Sequence, residues 1–209
     1  MTEKLIHIPV GPIKLEGMLQ IPADAKAIIL FTHGSGSSRL SPRNNFVAKI
    51  LYREKLATLL IDLLTEDEDR YRENRFDIEL LTERLSHVVQ WLASQTETQH
   101  LPLGLFGAST GAASALYLAA KLKQGIFAVV SRGGRPDLAG DVLPLVSAPT
   151  LLIVGGNDDV VIELNQLAYK KLKAEKELQI IPGATHLFEE PGTLEAVADS
   201  AAAWFKKHL

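Results

Sequence analysis

The sequence predicts an α/β fold: a mostly parallel central sheet of about eight strands with helices on both faces and no inserted lid. Three observations carry this. Apolar strand-like runs alternate with amphipathic helical stretches from end to end. Several of those runs, such as Ala27-Ile28-Ile29-Leu30-Phe31 and Leu151-Leu152-Ile153-Val154, are apolar at consecutive positions, as strands buried on both faces are. The connection from Ser131 to Pro149 is short enough for one helical segment but not for a lid domain.

The elements follow in order. Leu5–Pro9 and Ile13–Ile21 read as strands joined by a Gly11-Pro12 turn, and hence as an antiparallel hairpin at one sheet edge. Ala27–Phe31 is a buried strand that runs into the Gly/Ser-rich loop His33–Ser38. Asn44–Glu54 has helical spacing, and Leu56–Leu63 is the next buried strand. The charged stretch Thr65–Asn74 reads as a solvated loop, followed by an amphipathic helix over Phe76–Ser94. Leu103–Phe106, Ala128–Ser131, Pro149–Val154 and Leu178–Ile181 complete the strands. Helices fit at Ala112–Ala120, Glu163–Ala174 and Thr193–His208. With no internal repeat or linker-like composition shift, residues 1–209 read as one domain.

Composition narrows the function classes. An apolar fraction of 46% is enough for a sizeable core in 209 residues. A net charge of −3 argues against a nucleic-acid partner, which calls for a basic surplus. The absence of cysteine excludes disulfides, thiolate metal sites and a cysteine nucleophile. The opening Met1-Thr2-Glu3-Lys4-Leu5-Ile6 has no signal-peptide character, and no apolar run is long enough to span a bilayer, so a cytoplasmic protein without membrane partners is expected.

The chemistry centres on Gly107-Ala108-Ser109-Thr110-Gly111, a G-x-S-x-G motif between a strand and a helix. In that context the serine sits on a sharp turn with its hydroxyl exposed at the end of the sheet, and the flanking glycines remove side chains that would strike the neighbouring backbone. A serine hydroxyl needs a base within hydrogen-bond reach and an acid to orient that base. Both follow in the chain order Ser…Asp…His. Asp158 ends the strand and glycine turn of Leu151–Asn157 and is preferred to Asp159, and His186 lies on the loop after the last strand. His33 is read as shaping its loop, and His7, His87, His100 and His208 as ordinary surface or half-buried residues. Negative charge developing on an acyl carbonyl needs preorganised N–H donors; the backbone N–H groups of Thr110 and Ser35 are the candidates.

Together these features resemble the α/β-hydrolase fold over the full length. His33–Arg39, Ser131–Pro136 and Thr185–Phe188 are similar to the lidless dienelactone-hydrolase-like group. The nucleophile is cysteine in true dienelactone hydrolases and Ser109 here, so the resemblance implies serine-based hydrolysis of small or short-chain carboxylic esters. A small-molecule ester is the expected partner, with no cofactor and no metal; the acidic run Glu66–Asp69 reads as solvated surface. An acyltransferase using the same three residues, or a ligand-binding protein that keeps only the fold, are the alternatives. Four arginines, Arg39, Arg43, Arg132 and Arg135, follow strand ends near the expected crevice. They either pair with loop carboxylates such as Asp62, Asp137 or Glu189 or recognise an anionic group on the substrate, for which Arg39 and Arg132 are the candidates.

Overall fold

The computed structural model describes residues 3–209. Met1 and Thr2, which open the N-terminal stretch read above, lie outside it. The sheet has eight strands: β1 (Glu3–Val10), β2 (Ile13–Gln20), β3 (Ala27–Thr32), β4 (Leu56–Ile61), β5 (Leu103–Ala108), β6 (Ala128–Arg132), β7 (Thr150–Gly155) and β8 (Lys176–Ile181). Their spatial order is β1-β2-β4-β3-β5-β6-β7-β8. The β1–β2 hairpin lies at one edge, β2 pairs antiparallel with β4, and every later pairing is parallel. The parallel strands therefore all end on one side, where loops carrying chemistry can converge.

Among the described residues the α-helices are α1 (Pro42–Arg53), α2 (Glu66–Asp69), α3 (Ile78–Ser94), α4 (Thr110–Leu122), α5 (Asp159–Lys171) and α6 (Thr193–His208), and all but the one-turn α2 pack on the sheet. Because strand side chains alternate faces, one strand feeds two cores. Ile28 and Leu30 of β3 join the layer beneath α3 and α4, whereas Ile29 and Phe31 join the layer beneath α1 and α6. Phe31 meets Phe106 of β5 at a ring separation of 4.7 Å, so the central strands are locked together directly below the loops that matter.

Thr65–Asn74 is solvent-facing, as its charge implies, but it is not a loop. It forms α2 and then a 3-10 turn over Arg72–Phe76, so that α3 starts at Ile78, after the Phe76 read from the sequence. The cause is a capping box: the Glu68 N–H donates to the Thr65 hydroxyl, and the Glu68 carboxylate accepts from the Thr65 N–H. Two of its carboxylates hold it to neighbouring arginines: Asp69 pairs with Arg75 and Glu68 with Arg84. The β6–β7 connection is a 3-10 segment over Pro136–Leu145, kinked at Gly140, with no room for a lid.

Candidate active site

Ser109 occupies the turn between β5 and α4 with φ 51° and ψ −124°. A non-glycine residue held there stores backbone strain, so the surroundings must over-determine it. They do. The Ser109 N–H donates to the Arg132 carbonyl at 3.2 Å, and the Ser109 carbonyl accepts from Arg135 and Ala112 at 3.0 and 3.1 Å. The Thr32 hydroxyl donates to the Gly111 carbonyl at 2.7 Å, tying α4 to β3. A Cβ on Gly111 would strike the Thr32 and His33 carbonyls, and one on Gly107 would strike the Ala112 backbone. Both glycines are thus dictated by close packing around the turn.

The other candidates arrive on neighbouring loops. Asp158 is the residue before α5 and is mostly buried. The His186 Nδ1–H donates to Asp158 Oδ2 at 2.7 Å, while Asp159 is exposed on the first turn of α5. Asn157, which the sequence reading passed over, fastens the two loops: its N–H donates to the Ala184 carbonyl at 2.9 Å and its side-chain amide to the Gly183 carbonyl at 3.0 Å. Glu190 braces the far side of the histidine loop, accepting from the Thr185 hydroxyl at 2.7 Å and the Thr185 N–H at 3.1 Å. The Thr185 hydroxyl, followed by backbone donors, holds the Glu190 carboxyl below the usual carboxylate range. Asn157 follows a Gly-Gly turn, a position where Asn is common; Glu190 carries no signal of its own in the sequence.

Ser109 and His186 line one open cavity of ≈ 180 Å³, together with Gly34, Ser35, Arg43 and Arg132. Thr110 is the first residue of α4, so its N–H has no acceptor within the helix. Ser35 differs from the free donor expected: its N–H donates to the Thr110 hydroxyl at 2.9 Å. The threonine oxygen takes the hydrogen bond that an incoming carbonyl oxygen would need. His33 is a loop-shaping residue, with Nδ1–H donating to the Gly34 carbonyl at 3.0 Å.

The four loop arginines separate sharply. Arg39 does not line the Ser109 cavity; it bridges Asp62 and Glu16, the latter at 2.6 Å, so the expectation that it meets substrate is replaced by a structural ion pair. Arg43 pairs with Glu189 at 3.0 Å and Arg135 with Asp137 at 2.8 Å. Arg132 alone pairs with no carboxylate among the described residues. Among those residues no group of three or more acidic or histidine side chains is placed to hold a metal ion, and no helix is long and apolar enough to cross a membrane.

Residues 15–208 match the model of the dienelactone hydrolase family. The chain belongs to that family. It is 55% identical to a dienelactone hydrolase from Anabaena variabilis of known crystal structure, covering all of this chain and 98% of that one with a TM-score of 0.97. At 18% identity Est1E from Butyrivibrio proteoclasticus still superposes over 98% of each chain with a TM-score of 0.84, which shows the fold. Two curated Mycobacterium tuberculosis proteins, each named "Putative phosphoribosyl transferase", are 55% identical over all 209 residues. The chain spans about half the length of those relatives, 47%. The sequence resemblance to the dienelactone-hydrolase-like group is therefore upheld at the level of the family.

Proposed function

We propose that this member of the family is a serine hydrolase of small carboxylic esters, with Ser109 as nucleophile, His186 as general base and Asp158 as the acid that orients it. The observation that carries the reading is the strained, over-determined Ser109 in the same cavity as a histidine whose Nδ1 is held by a mostly buried carboxylate. With Nδ1–H committed to Asp158, Nε2 is the nitrogen left to take a proton. Ser109 Oγ attacks the ester carbonyl as its proton passes to His186 Nε2. The tetrahedral oxyanion collapses, and the alkoxide leaves with that proton. Water, deprotonated by the same histidine, attacks the acyl-serine; collapse of the second tetrahedral oxyanion releases the acid and returns the proton to Ser109.

The oxyanion falls between the Thr110 and Ser35 N–H groups. Binding of substrate moves the Thr110 hydroxyl off the Ser35 N–H, so that a donor satisfied in the free protein is released to the developing charge. The cavity, below the roughly 300 Å³ at which pockets for larger ligands begin, suits short acyl groups.

Ser109→Ala tests the reading: hydrolysis of p-nitrophenyl butyrate falls about 10⁴-fold or more. A fluorophosphonate adds mass to the Ser109 peptide alone. Full activity in the alanine variant, or labelling elsewhere, refutes it. The transferase name of the longer relatives raises a second reading, in which this chain acts on a phosphoribosyl compound. Turnover of phosphoribosyl pyrophosphate that survives Ser109→Ala would favour it.

A further inference from the structure

Arg132 is buried, only 7% exposed, at the end of β6. Its guanidinium makes one side-chain hydrogen bond among the described residues, from Nη2 to Asn44 Oδ1 at 3.1 Å. The Phe188 ring lies 5.8 Å from its Cζ, and Phe188 is itself held at φ 54° on the histidine loop. The charge that acts on Arg132 is another cation, Arg43, which is itself paired with the exposed Glu189. Burial, with the Arg43 charge second, pushes the Arg132 guanidinium down to about 10. Two cationic and no acidic side chains line the cavity that holds Ser109.

A charge removed from water without a counter-ion costs several kcal/mol. Arg39, Arg43 and Arg135 each avoid that cost with a carboxylate, so the fold readily supplies acids to its loop arginines. Arg132 is left with most of its five N–H donors unused, on the wall of the cavity. The Ser37 and Ser41 side chains line the same wall, and Ser41 caps the N-terminus of α1, whose positive end adds to the field there.

Resting on the ester-hydrolase reading, we propose that Arg132 is a specificity-determining residue of this cavity and that the substrate is an ester bearing a compact oxyanion, a carboxylate or a phosphate, which binds its guanidinium. Asn44 positions the fork, Phe188 covers it, and Arg43 strengthens the field from the rim. The anion completes an ion pair that the folded chain leaves open.

The test separates this proposal from the catalytic one by measuring binding where no turnover is needed. Calorimetry on Ser109→Ala protein compares monomethyl adipate, dimethyl adipate and inorganic phosphate. The monoester anion binds about 10–100-fold more tightly than the neutral diester, as expected of a charge-assisted hydrogen bond. Phosphate tighter than the monoester identifies a phosphate-bearing substrate, and the reverse order a carboxylate. Adding Arg132→Met removes the preference for anions, while the melting temperature stays level or rises, because an uncompensated buried charge has become an apolar side chain of similar length. Arg132→Lys keeps the charge and part of the preference. Equal affinity for monoester and diester, a preference that survives Arg132→Met, or a melt well below the parent for that variant overturns the proposal and makes the arginine scaffold. Activity on neutral esters is read separately, so either proposal can fall without the other.

Discussion

Gly34 sits against Ser109, and adding one methyl group there tests how finely the serine is placed. A Cβ at Gly34 would lie 2.8 Å from Ser109 Cβ, 3.2 Å from the Ala108 carbonyl oxygen and 3.5 Å from Ser109 Oγ. Ordinary contact begins near 3.4 Å, so the methyl group is about 0.6 Å too close to the serine. Neither side yields freely. Ser109 is tied through its backbone to Arg132, Arg135 and Ala112, and the Gly34 carbonyl accepts from Ser37 and His33. Gly34→Ala therefore shifts the serine, or the loop bearing Ser35, by a few tenths of an ångström. Overpacking of this kind costs about 1–3 kcal/mol, which for a domain of this size lowers the melting temperature by roughly 2–12 °C. Since a misplacement of about 1 Å can cost about 100-fold in rate, a shift of a few tenths of that should lower kcat/KM roughly 4–15-fold in protein that is still folded. The assay is p-nitrophenyl butyrate hydrolysis at a temperature well below the melt, with fluorophosphonate titration to count competent sites. A folded Gly34→Ala protein with the parent's kcat/KM would refute the claim that this glycine sets the position of Ser109.

Asp158→Asn should lower kcat about 10³–10⁴-fold with the melt preserved, because the histidine loses the partner that fixes its tautomer, whereas Asp159→Asn leaves kcat near the parent value. Arg39→Ala, which breaks the bridge to Asp62 and Glu16, should lower the melting temperature yet leave the ratio of rates on charged and neutral esters unchanged. Burial raises the Glu68 carboxyl, but the Thr65 N–H and Arg84 outweigh it and hold the group below its ordinary value. Its contribution is thus present above the ordinary carboxylate range and lost as pH falls through the lowered value; Glu68→Gln should melt earlier than the parent at pH 7, by a margin that narrows as the pH is taken down into the acid range. Rates along a p-nitrophenyl series should peak from acetate to butyrate, since the small open cavity gives a longer tail little to bury against; a maximum at octanoate or beyond would contradict this.

Much of this molecule is legible in its sequence because the decisive signals are local. The strand–glycine–serine–glycine–helix pattern at Ser109 needs only neighbours in the chain, as do the hairpin at Gly11-Pro12 and the glycine turn before Asp158. Thr65 and Glu68 also carried a local signal, the spacing of a capping box, but the density of charge around them reads more readily as solvation. What stayed hidden depends on which loops meet. Arg39 and Arg132 look alike in sequence, and only the packing of β2 and β4 brings Glu16 and Asp62 to one and leaves the other without an acid. The same holds for the Ser35 N–H, whose partner Thr110 is distant in the chain.

Ala108 and Arg132 face each other in register on β5 and β6, and the Arg132 carbonyl holds the Ser109 N–H. Adjacent strands are about 4.8 Å apart, a spacing set by the sheet's own hydrogen bonds. The spacing of the Ser109 and Arg132 backbones is therefore a property of the sheet, and Asn44 and Phe188 fix the guanidinium from that base. A molecule that touches both is measured against a stiff ruler, and selection by length follows before any contact with its interior atoms. Lengthening a loop that touches neither side chain would change access to the cavity but not that gauge; slipping β6 against β5 would reset it.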